Sequence, residues 1–351
     1  MPTRRRATRA QQQCFAATMA LSAGLIAGTA TAQTPRSGES MPEIPPIGAH
    51  VSKYMDVPQS AKGPSIDPAR GYRIQTLGRN LHMVTDNTYQ SMFLVYETGV
   101  VVVDAPPTYA AVIRKAIAEV TDKPITHLIY SHSHTDHIGG AANLGEIPII
   151  IAHQQTRELL ARALPNDPKR PLPTVTFTDT YTLKVGSETL ELSYHGNGHE
   201  PGNIFIYAPA QKTLMVVDVI FPGWMMWRRF ALAQDVPGFF AQVEKIKSFD
   251  FETLVAGHVS RAGTRDDVEL QARFMQDLKA SAAAALASTK VGVGVDPRDM
   301  TNPWAVFGNY IDRVVTQCVN DLTPNWSGKL AAFDVFIRDQ CYAMEQSLRI
   351  D

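Results

Sequence analysis

The feature that most constrains this chain is a run of metal-binding side chains at residues 132–137, with the sequence His-Ser-His-Thr-Asp-His. His132 and His134 lie two residues apart, so in an extended segment both side chains leave the same side of the backbone, and Asp136 continues that alternation. Neutral imidazoles and carboxylates are the ligands that zinc binds when one coordination position stays open for water. Together with His137, these side chains are numerous enough to serve two metal ions, and we expect a metal centre here.

Strand patterns surround this run. Residues 125–130 form a short apolar segment that leads directly into it, and residues 99–103 form a continuous apolar run typical of the centre of a sheet. Further strand patterns fill residues 72–104 and, after an intervening helix and loop, residues 175–218. Two β-rich halves, each accompanied by helices, indicate two packed sheets flanked by helices. Composition alone does not distinguish this arrangement from a doubly wound sheet.

Three later residues extend the set of candidate ligands. His199 lies in a Gly-His-Glu-Pro-Gly-Asn turn, Asp218 ends an apolar strand, and His258 follows another strand. Functional groups in α/β folds concentrate at such strand ends. Taken singly, each residue is typical of a loop, but with the first cluster they are better explained as metal ligands. Asp104 also ends a strand, and we expect it to support the loops of the site through hydrogen bonds.

Taken together, these motifs resemble the metallo-β-lactamase superfamily. The similarity covers HxHxDH at 132–137, GHxPGN at 198–203, the strand-terminal aspartate at 218 and Gly-His at 257–258, in that order. The resemblance implies an α/β fold, an αββα sandwich in which two mixed β-sheets are flanked by helices and the metals lie at one edge. The ligands that it implies for the first metal are His132, His134 and His199. The ligands that it implies for the second are Asp136, His137 and His258, with Asp218 bridging both.

The activity implied by the resemblance is that of an exported dinuclear zinc hydrolase. Two Zn²⁺ ions per chain would lower the pKa of a bridging water, and the resulting hydroxide would attack an ester, lactone, thioester or amide carbonyl. Asp136 is expected to act in catalysis by orienting this nucleophile or relaying a proton. The same ligand types also suit manganese and iron.

Two alternatives remain open. A periplasmic metallo-β-lactamase acting on β-lactams fits the expected compartment, although many such enzymes carry cysteine or serine where Asp218 stands. Lactonases of the superfamily usually carry tyrosine three residues after this aspartate. This chain has Phe221 there, which argues against that subclass. The second alternative is a mononuclear iron oxidoreductase similar to persulfide dioxygenases, and a full second set of ligands argues against it.

The segment 221–227 is apolar and aromatic, and it indicates a loop beside the metals. Binding pockets favour such walls, so Trp224 and Trp227 are candidates for contact with a small-molecule substrate that is partly apolar. Ordinary packing or an oligomer contact is the other interpretation of both tryptophans. Arg228 and Arg229 would either meet a substrate carboxylate or lie as solvated surface charges.

Four regions follow from the order of these patterns. Residues 1–32 have the basic start, apolar centre and small-residue end of a signal peptide, with cleavage expected after Ala32. Residues 33–70 are rich in Pro, Ser and Gly and indicate an N-terminal arm. The metallo-β-lactamase-fold domain is expected at 71–290, and a helical C-terminal extension packed on it at 291–351.

Compartment and partners follow from the same features. A signal peptide places the mature protein in the periplasm or outside the cell, with no membrane span after cleavage. The net charge of −1 gives no reason to expect a nucleic-acid partner. After cleavage the chain keeps Cys318 and Cys341, and an oxidising compartment allows them either to pair or to remain two buried thiols.

Overall fold

The computed structural model describes residues 54–163 and 167–351, and its framework is a pair of β-sheets. The first sheet has seven strands in the order β1-β2-β3-β4-β5-β6-β7. Its strands are β1 (Arg73–Gly78), β2 (Leu81–Thr85), β3 (Gln90–Tyr96), β4 (Gly99–Val103), β5 (Ile125–Ile129), β6 (Ile149–His153) and β7 (Val175–Phe177). Strands β1 to β4 pair antiparallel, and β4 to β7 pair parallel.

The second sheet has five strands in the order β12-β11-β10-β9-β8. Its strands are β8 (Thr180–Val185), β9 (Glu188–Tyr194), β10 (Ile204–Ala208), β11 (Thr213–Val216) and β12 (Thr253–Val255). All neighbours pair antiparallel except β11 and β12, which are parallel. Both sheets are therefore mixed.

Most of the helices flank the outer faces of the two sheets. The helices are α1 (Ala110–Ala118), α2 (Thr135–Ile138), α3 (Gln154–Ala163), α4 (Arg228–Leu232), α5 (Val236–Ile246), α6 (Arg265–Ser288), α7 (Pro303–Trp326) and α8 (Phe333–Ile350). Of these, α2 and α4 lie at the sheet edge that carries the candidate ligands. Helix α6 begins with a capping box between Thr264 and Asp267, which supplies two of the helix N-terminal N–H groups with acceptors. Among the described residues, no helix is both long enough and apolar enough to cross a membrane.

Three apolar clusters fill the layers between these elements, and β4 shows how one strand serves two of them. Side chains of successive strand residues point to opposite faces, so Val101 and Val103 pack between the sheets, whereas Val100 and Val102 pack outward toward α1. A third cluster joins the outer face of the second sheet to helices α5 to α8. The architecture is thus helix, sheet, sheet, helix, which is the predicted αββα sandwich.

The C-terminal helices share a core with the rest of the domain. Helices α7 and α8 pack against α6, and α8 also packs against α4. The predicted extension at 291–351 thus contributes to the apolar layer outside the second sheet. Cys318 on α7 and Cys341 on α8 form a disulfide, which answers the question that the sequence left open.

The N-terminal predictions fall largely outside the described residues. The predicted signal peptide at 1–32 and the first part of the predicted arm lie there. Within the described part of the arm, residues 59–61 form a 3₁₀ turn. The carbonyl of Ala61 accepts hydrogen bonds from Trp224 Nε1 at 3.0 Å and Ser260 Oγ at 2.7 Å, so this part of the arm contacts the domain.

Candidate metal centre

The candidate ligands lie at one edge of both sheets. The 132–137 run follows β5, His199 lies in the loop between β9 and β10, Asp218 follows β11, and His258 follows β12. Gly257 precedes His258 with a φ of 84°, and an added Cβ would lie 2.5 Å from Val217 Cγ1. Only glycine therefore brings the chain into the site at this point.

One expectation about local geometry is wrong. Asp136 does not continue the extended alternation of His132 and His134, because Thr135–Ile138 forms a helical turn. That turn directs His137 into the interior, where it is fully buried, while the Asp136 side chain stays 43% exposed. Because of this turn, Asp136 and His137 join a different ligand group from His132 and His134. A continued strand would have directed Asp136 to the same side as the two histidines.

The predicted first group converges. His132, His134, His199 and Asp218 offer ligand atoms that lie within 4.8 Å of one another. His134 Nδ1 lies 3.1 Å from His199 Nε2, so these two ring nitrogens face the same point.

The predicted second group converges beside it. Asp136, His137 and His258 also offer ligand atoms within 4.8 Å of one another. His137 Nε2 lies 3.1 Å from His258 Nε2, and Asp136 Oδ2 lies 3.4 Å from each of these nitrogens.

Asp218 connects the two groups. Its Oδ2 lies 3.5 Å from His132 Nε2, 3.3 Å from His199 Nε2 and 3.1 Å from His137 Nε2. Its Oδ1 lies 3.2 Å from His258 Nε2. One carboxylate thus contacts rings of both groups, as a bridging ligand would.

The donor set fits metal ions on physical grounds. Nε2 of His132 and Oδ1 of Asp218 are buried, and neither makes a hydrogen bond within the described part of the chain. Buried polar atoms of native proteins almost always have partners, and the lone pairs of converging ring nitrogens repel one another unless a proton or cation lies between them. Divalent cations would give these buried atoms partners and would lie between the lone pairs of the ring nitrogens. The cluster is therefore a metal-binding His/Asp site.

A hydrogen-bonded chain orients His132. Asp104 accepts from the backbone N–H of Ser131 at 2.8 Å and from Ser131 Oγ at 2.7 Å. Ser131 Oγ lies 2.9 Å from His132 Nδ1. Because the hydroxyl donates its one hydrogen to Asp104, His132 Nδ1 is the donor to Ser131 Oγ, and Nε2 is left with its lone pair directed into the site. Asp104 thus makes hydrogen bonds to a site loop, in the supporting role expected for it.

Glu200 was not identified from the sequence as a site residue. It is 4% exposed, accepts from Ser133 N at 2.9 Å and from Ser133 Oγ at 2.8 Å, and lies 3.3 Å from His134 Nε2. A carboxylate beside Nε2 favours the tautomer that carries its proton there, which leaves Nδ1 as the ligand atom. An acidic residue directly after His199 was the available signal.

Burial and charge shift the pKa values of the cluster in opposite directions. Burial, together with the neighbouring imidazoles, holds the pKa of His132 well below its usual range. Burial also opposes the charged forms of His137 and Asp218, but their mutual attraction outweighs it. The pKa of His137 is raised to about 9, and the pKa of Asp218 lies well below its usual range. Without metal, the imidazolium of His137 therefore lies against the carboxylate of Asp218.

A pocket of about 770 Å³ opens beside the cluster. Trp224 and Trp227, which the sequence suggested for substrate contact, both line it, and so do Tyr89, Leu232 and Phe336. Phe336 belongs to α8, far along the chain from every ligand, and no motif in the sequence connected it with the site.

Comparison with known proteins places this geometry in a family. The model of the metallo-β-lactamase superfamily matches residues 85–258. The chain is 28% identical over 244 residues to 2,4-dinitroanisole O-demethylase subunit alpha of a Nocardioides species, covering 66% of this chain and 67% of that protein. It is 26% identical over 229 residues to metallo-beta-lactamase type 2 of Elizabethkingia meningoseptica, covering 60% of this chain and 88% of that one.

A solved structure agrees at the level of the fold. A metallo-beta-lactamase from Pontibacter korlensis superposes with a TM-score of 0.50 at 17% identity, covering 58% of this chain and 99% of its own. The family match spans all seven candidate ligands, and the two mixed sheets with outer helices confirm the predicted fold class. This chain belongs to the metallo-β-lactamase superfamily.

Proposed function

We propose that this protein is a dinuclear zinc hydrolase that cleaves an ester, lactone, thioester or amide bond in a partly apolar small molecule. The observation that carries the proposal is the convergence of two ligand groups around Asp218 at the floor of an open pocket. In this proposal the first zinc ion binds His132, His134 and His199. The second binds Asp136, His137 and His258, and Asp218 contacts both.

Bound zinc ions would supply Lewis acidity and a water of lowered pKa. The protein's own contribution lies in Asp136 and the pocket walls. Asp136 is the most exposed carboxylate of the cluster, so it can take a proton from the attacking water and pass it to the leaving oxygen, nitrogen or sulfur. Burial acts to raise the pKa of Asp136, but the contact to His258 and the charge of His137 outweigh it and leave this pKa below its usual value, so the group is an ionised base near neutral pH.

Two more specific reactions are tested beside the hydrolysis of ordinary esters, thioesters and amides. β-Lactam hydrolysis is supported by relatives named metallo-beta-lactamase type 2. Cleavage of an activated aryl ether is supported by the relative named for O-demethylation of 2,4-dinitroanisole, a substrate without a charged group. A mononuclear iron oxidoreductase is less well supported, because His137 and His258 complete a second ligand group.

The test is a substrate panel with purified protein, assayed as isolated, after chelation and after zinc is restored. The panel holds an aryl ester, a lactone, a thioester, an aryl amide, a cephalosporin and 2,4-dinitroanisole. We expect turnover of a carbonyl substrate that chelation abolishes and zinc restores. Turnover of the cephalosporin alone would narrow the proposed bond class to β-lactam amides, and turnover of the ether alone would replace it. Persulfide oxidation by protein that holds one iron would overturn the proposal.

The predicted export remains a proposal of its own. It is supported by the arrangement of residues 1–32 and by the Cys318–Cys341 disulfide, since disulfides persist in oxidising compartments. Fractionation of cells that produce the full chain, with mass measurement of the mature N-terminus, tests it directly.

A further inference from the structure

The pocket beside the cluster has apolar walls. Beyond the candidate ligands, its large lining side chains are Phe221, Trp224, Met225, Trp227, Leu232, Phe336 and Tyr89, and its smaller polar ones, Asn87, Thr88 and Thr135, are uncharged. Among the described residues that line it, none is a lysine or an arginine. Its only acidic lining residues, Asp136 and Asp218, belong to the ligand cluster. The walls therefore provide contact area for an apolar group and no counter-charge for an anion.

Arg228 and Arg229, which directly follow the lining residue Trp227 in the sequence, are engaged in other contacts. Arg228 Nε lies 2.7 Å from Asp339 Oδ2, in an ion pair with α8. The guanidinium of Arg229 lies over the Tyr342 ring, 5.0 Å from its centroid. Neither residue lines the pocket. The sequence alone left open whether these arginines meet a substrate carboxylate, and their contacts argue that they do not.

The lip of the pocket is a strained segment that α8 supports. Residues 229–232 of α4 all have a positive φ, between 52° and 61°, although none is glycine. Each such residue costs free energy, and strained backbone persists where surrounding contacts hold it and often lies at functional sites. Gln340 on α8 is fully buried, accepts from Phe230 N at 2.8 Å and donates to Met226 O at 2.7 Å. These bonds hold Leu232 and its neighbours in the pocket wall.

We propose that this pocket selects substrates whose end remote from the scissile bond is uncharged and apolar, and that Trp227 at its mouth is a specificity-determining residue. This inference rests on the proposed hydrolase function. Trp227 and Leu232 are each 48% exposed, so a substrate group can reach and cover them. An apolar group gains free energy by leaving water there, whereas a carboxylate would lose hydration without an ion-pair partner. Substrates with a remote carboxylate are therefore rejected.

The test compares two esters of equal length. The 4-nitrophenyl ester of hexanoic acid and the 4-nitrophenyl monoester of adipic acid differ only in a terminal carboxylate, which is remote from the scissile bond. With zinc-loaded protein we expect kcat/KM to favour the hexanoate by about 100-fold, since a carboxylate at an apolar wall loses hydration and gains no partner. A ratio near one would overturn the inference.

A pair of matched variants assigns the effect to the mouth of the pocket. Trp227→Arg places a cation beside the bound chain, and we expect it to reduce the preference about tenfold. Trp304→Arg makes the same change at a residue that is 83% exposed and outside the pocket, and we expect it to leave the ratio unchanged. An equal shift in both variants would contradict the role of Trp227.

A binding measurement separates this inference from the proposed reaction. Zinc-loaded protein is titrated with 4-nitrotoluene and with 4-nitrobenzenesulfonate, and quenching of tryptophan fluorescence is followed. We expect saturable quenching by the uncharged probe, at least about tenfold tighter than by the sulfonate and weakened by Trp227→Arg. This result without turnover of any ester, lactone, thioester or amide of the substrate panel would remove the hydrolase proposal and keep the pocket assignment. Equal binding of both probes would overturn the pocket assignment whatever the reaction.

Discussion

The contact between Glu200 and His134 leads to a specific prediction about zinc affinity. Glu200 makes three contacts from a buried position: two hydrogen bonds from Ser133 and a 3.3 Å approach of Oε1 to His134 Nε2. The perturbation that isolates the charge is Glu200→Gln, because glutamine keeps the shape of the side chain and one acceptor oxygen. We expect this variant to fold and to bind zinc more weakly at one of the two proposed sites.

The magnitude follows from where the glutamine nitrogen lies. The backbone N–H of Ser133 requires an acceptor, so the amide oxygen takes the Oε2 position and the NH₂ group takes the position near His134 Nε2. A donor there favours the tautomer with the proton on Nδ1, the nitrogen that faces His199 Nε2 at 3.1 Å. Loss of such an orienting partner weakens metal binding by about 10- to 100-fold, which corresponds to about 1.4 to 2.8 kcal/mol.

The assay is competition for zinc with a chromophoric chelator, analysed for two sites. Glu188→Gln is the matched control, because Glu188 is 1% exposed and accepts from Asn80 and Gln211 at 2.9 Å, outside the cluster. We expect Glu188→Gln to lower the free energy of unfolding and to keep wild-type zinc affinity. Wild-type affinity in Glu200→Gln, or an equal loss in both variants, would refute the role given to Glu200.

Three further predictions concern the cluster and the helices around it. Asp218→Asn should weaken zinc binding at least about 100-fold in the same assay, since Asp218 contacts both groups; wild-type affinity would contradict the bridge. In chelated protein, His137 has a pKa of about 9, above its unfolded value, so its stabilisation is complete below about pH 6.5 and is lost as the pH rises through 9. In urea unfolding, the free energy of unfolding of the chelated protein should fall by on the order of 3 kcal/mol over this pH range, and it should not fall in His137→Gln. Reduction of the Cys318–Cys341 disulfide, whose residues are 23 apart, should lower the free energy of unfolding by about 3 kcal/mol in urea; unchanged stability would contradict its contribution.

Local patterns were sufficient to predict the sheets and the clustering of ligands. Strands such as β4 are apolar runs of the right length, and a buried run in a mixed sheet is legible in a short window of sequence. Four chain segments carry the candidate ligands, and each follows a strand. Strands in a packed pair of sheets end at shared edges. The position of each candidate ligand just after a strand was therefore enough to predict that these residues cluster.

Two features of the site lie beyond such patterns. The helical turn at Thr135–Ile138 is four residues long, so it has no periodic signal, and its effect on Asp136 could not be predicted. The left-handed segment at 229–232 contains no glycine that would signal it, and its hydrogen-bond partner Gln340 lies more than a hundred residues away in the sequence. Interactions over such sequence distances determine the pocket walls, so the motifs could not predict that Leu232 and Phe336 line the pocket.

The central claim is that two zinc ions at this cluster support hydrolysis. The most direct test is to titrate chelated protein with zinc while hydrolysis of 4-nitrophenyl hexanoate is measured. We expect activity to rise until two equivalents are bound and to remain near background in His258→Ala, which lacks one ligand of the second group. Full activity at one equivalent, or activity in the chelated protein, would contradict the account.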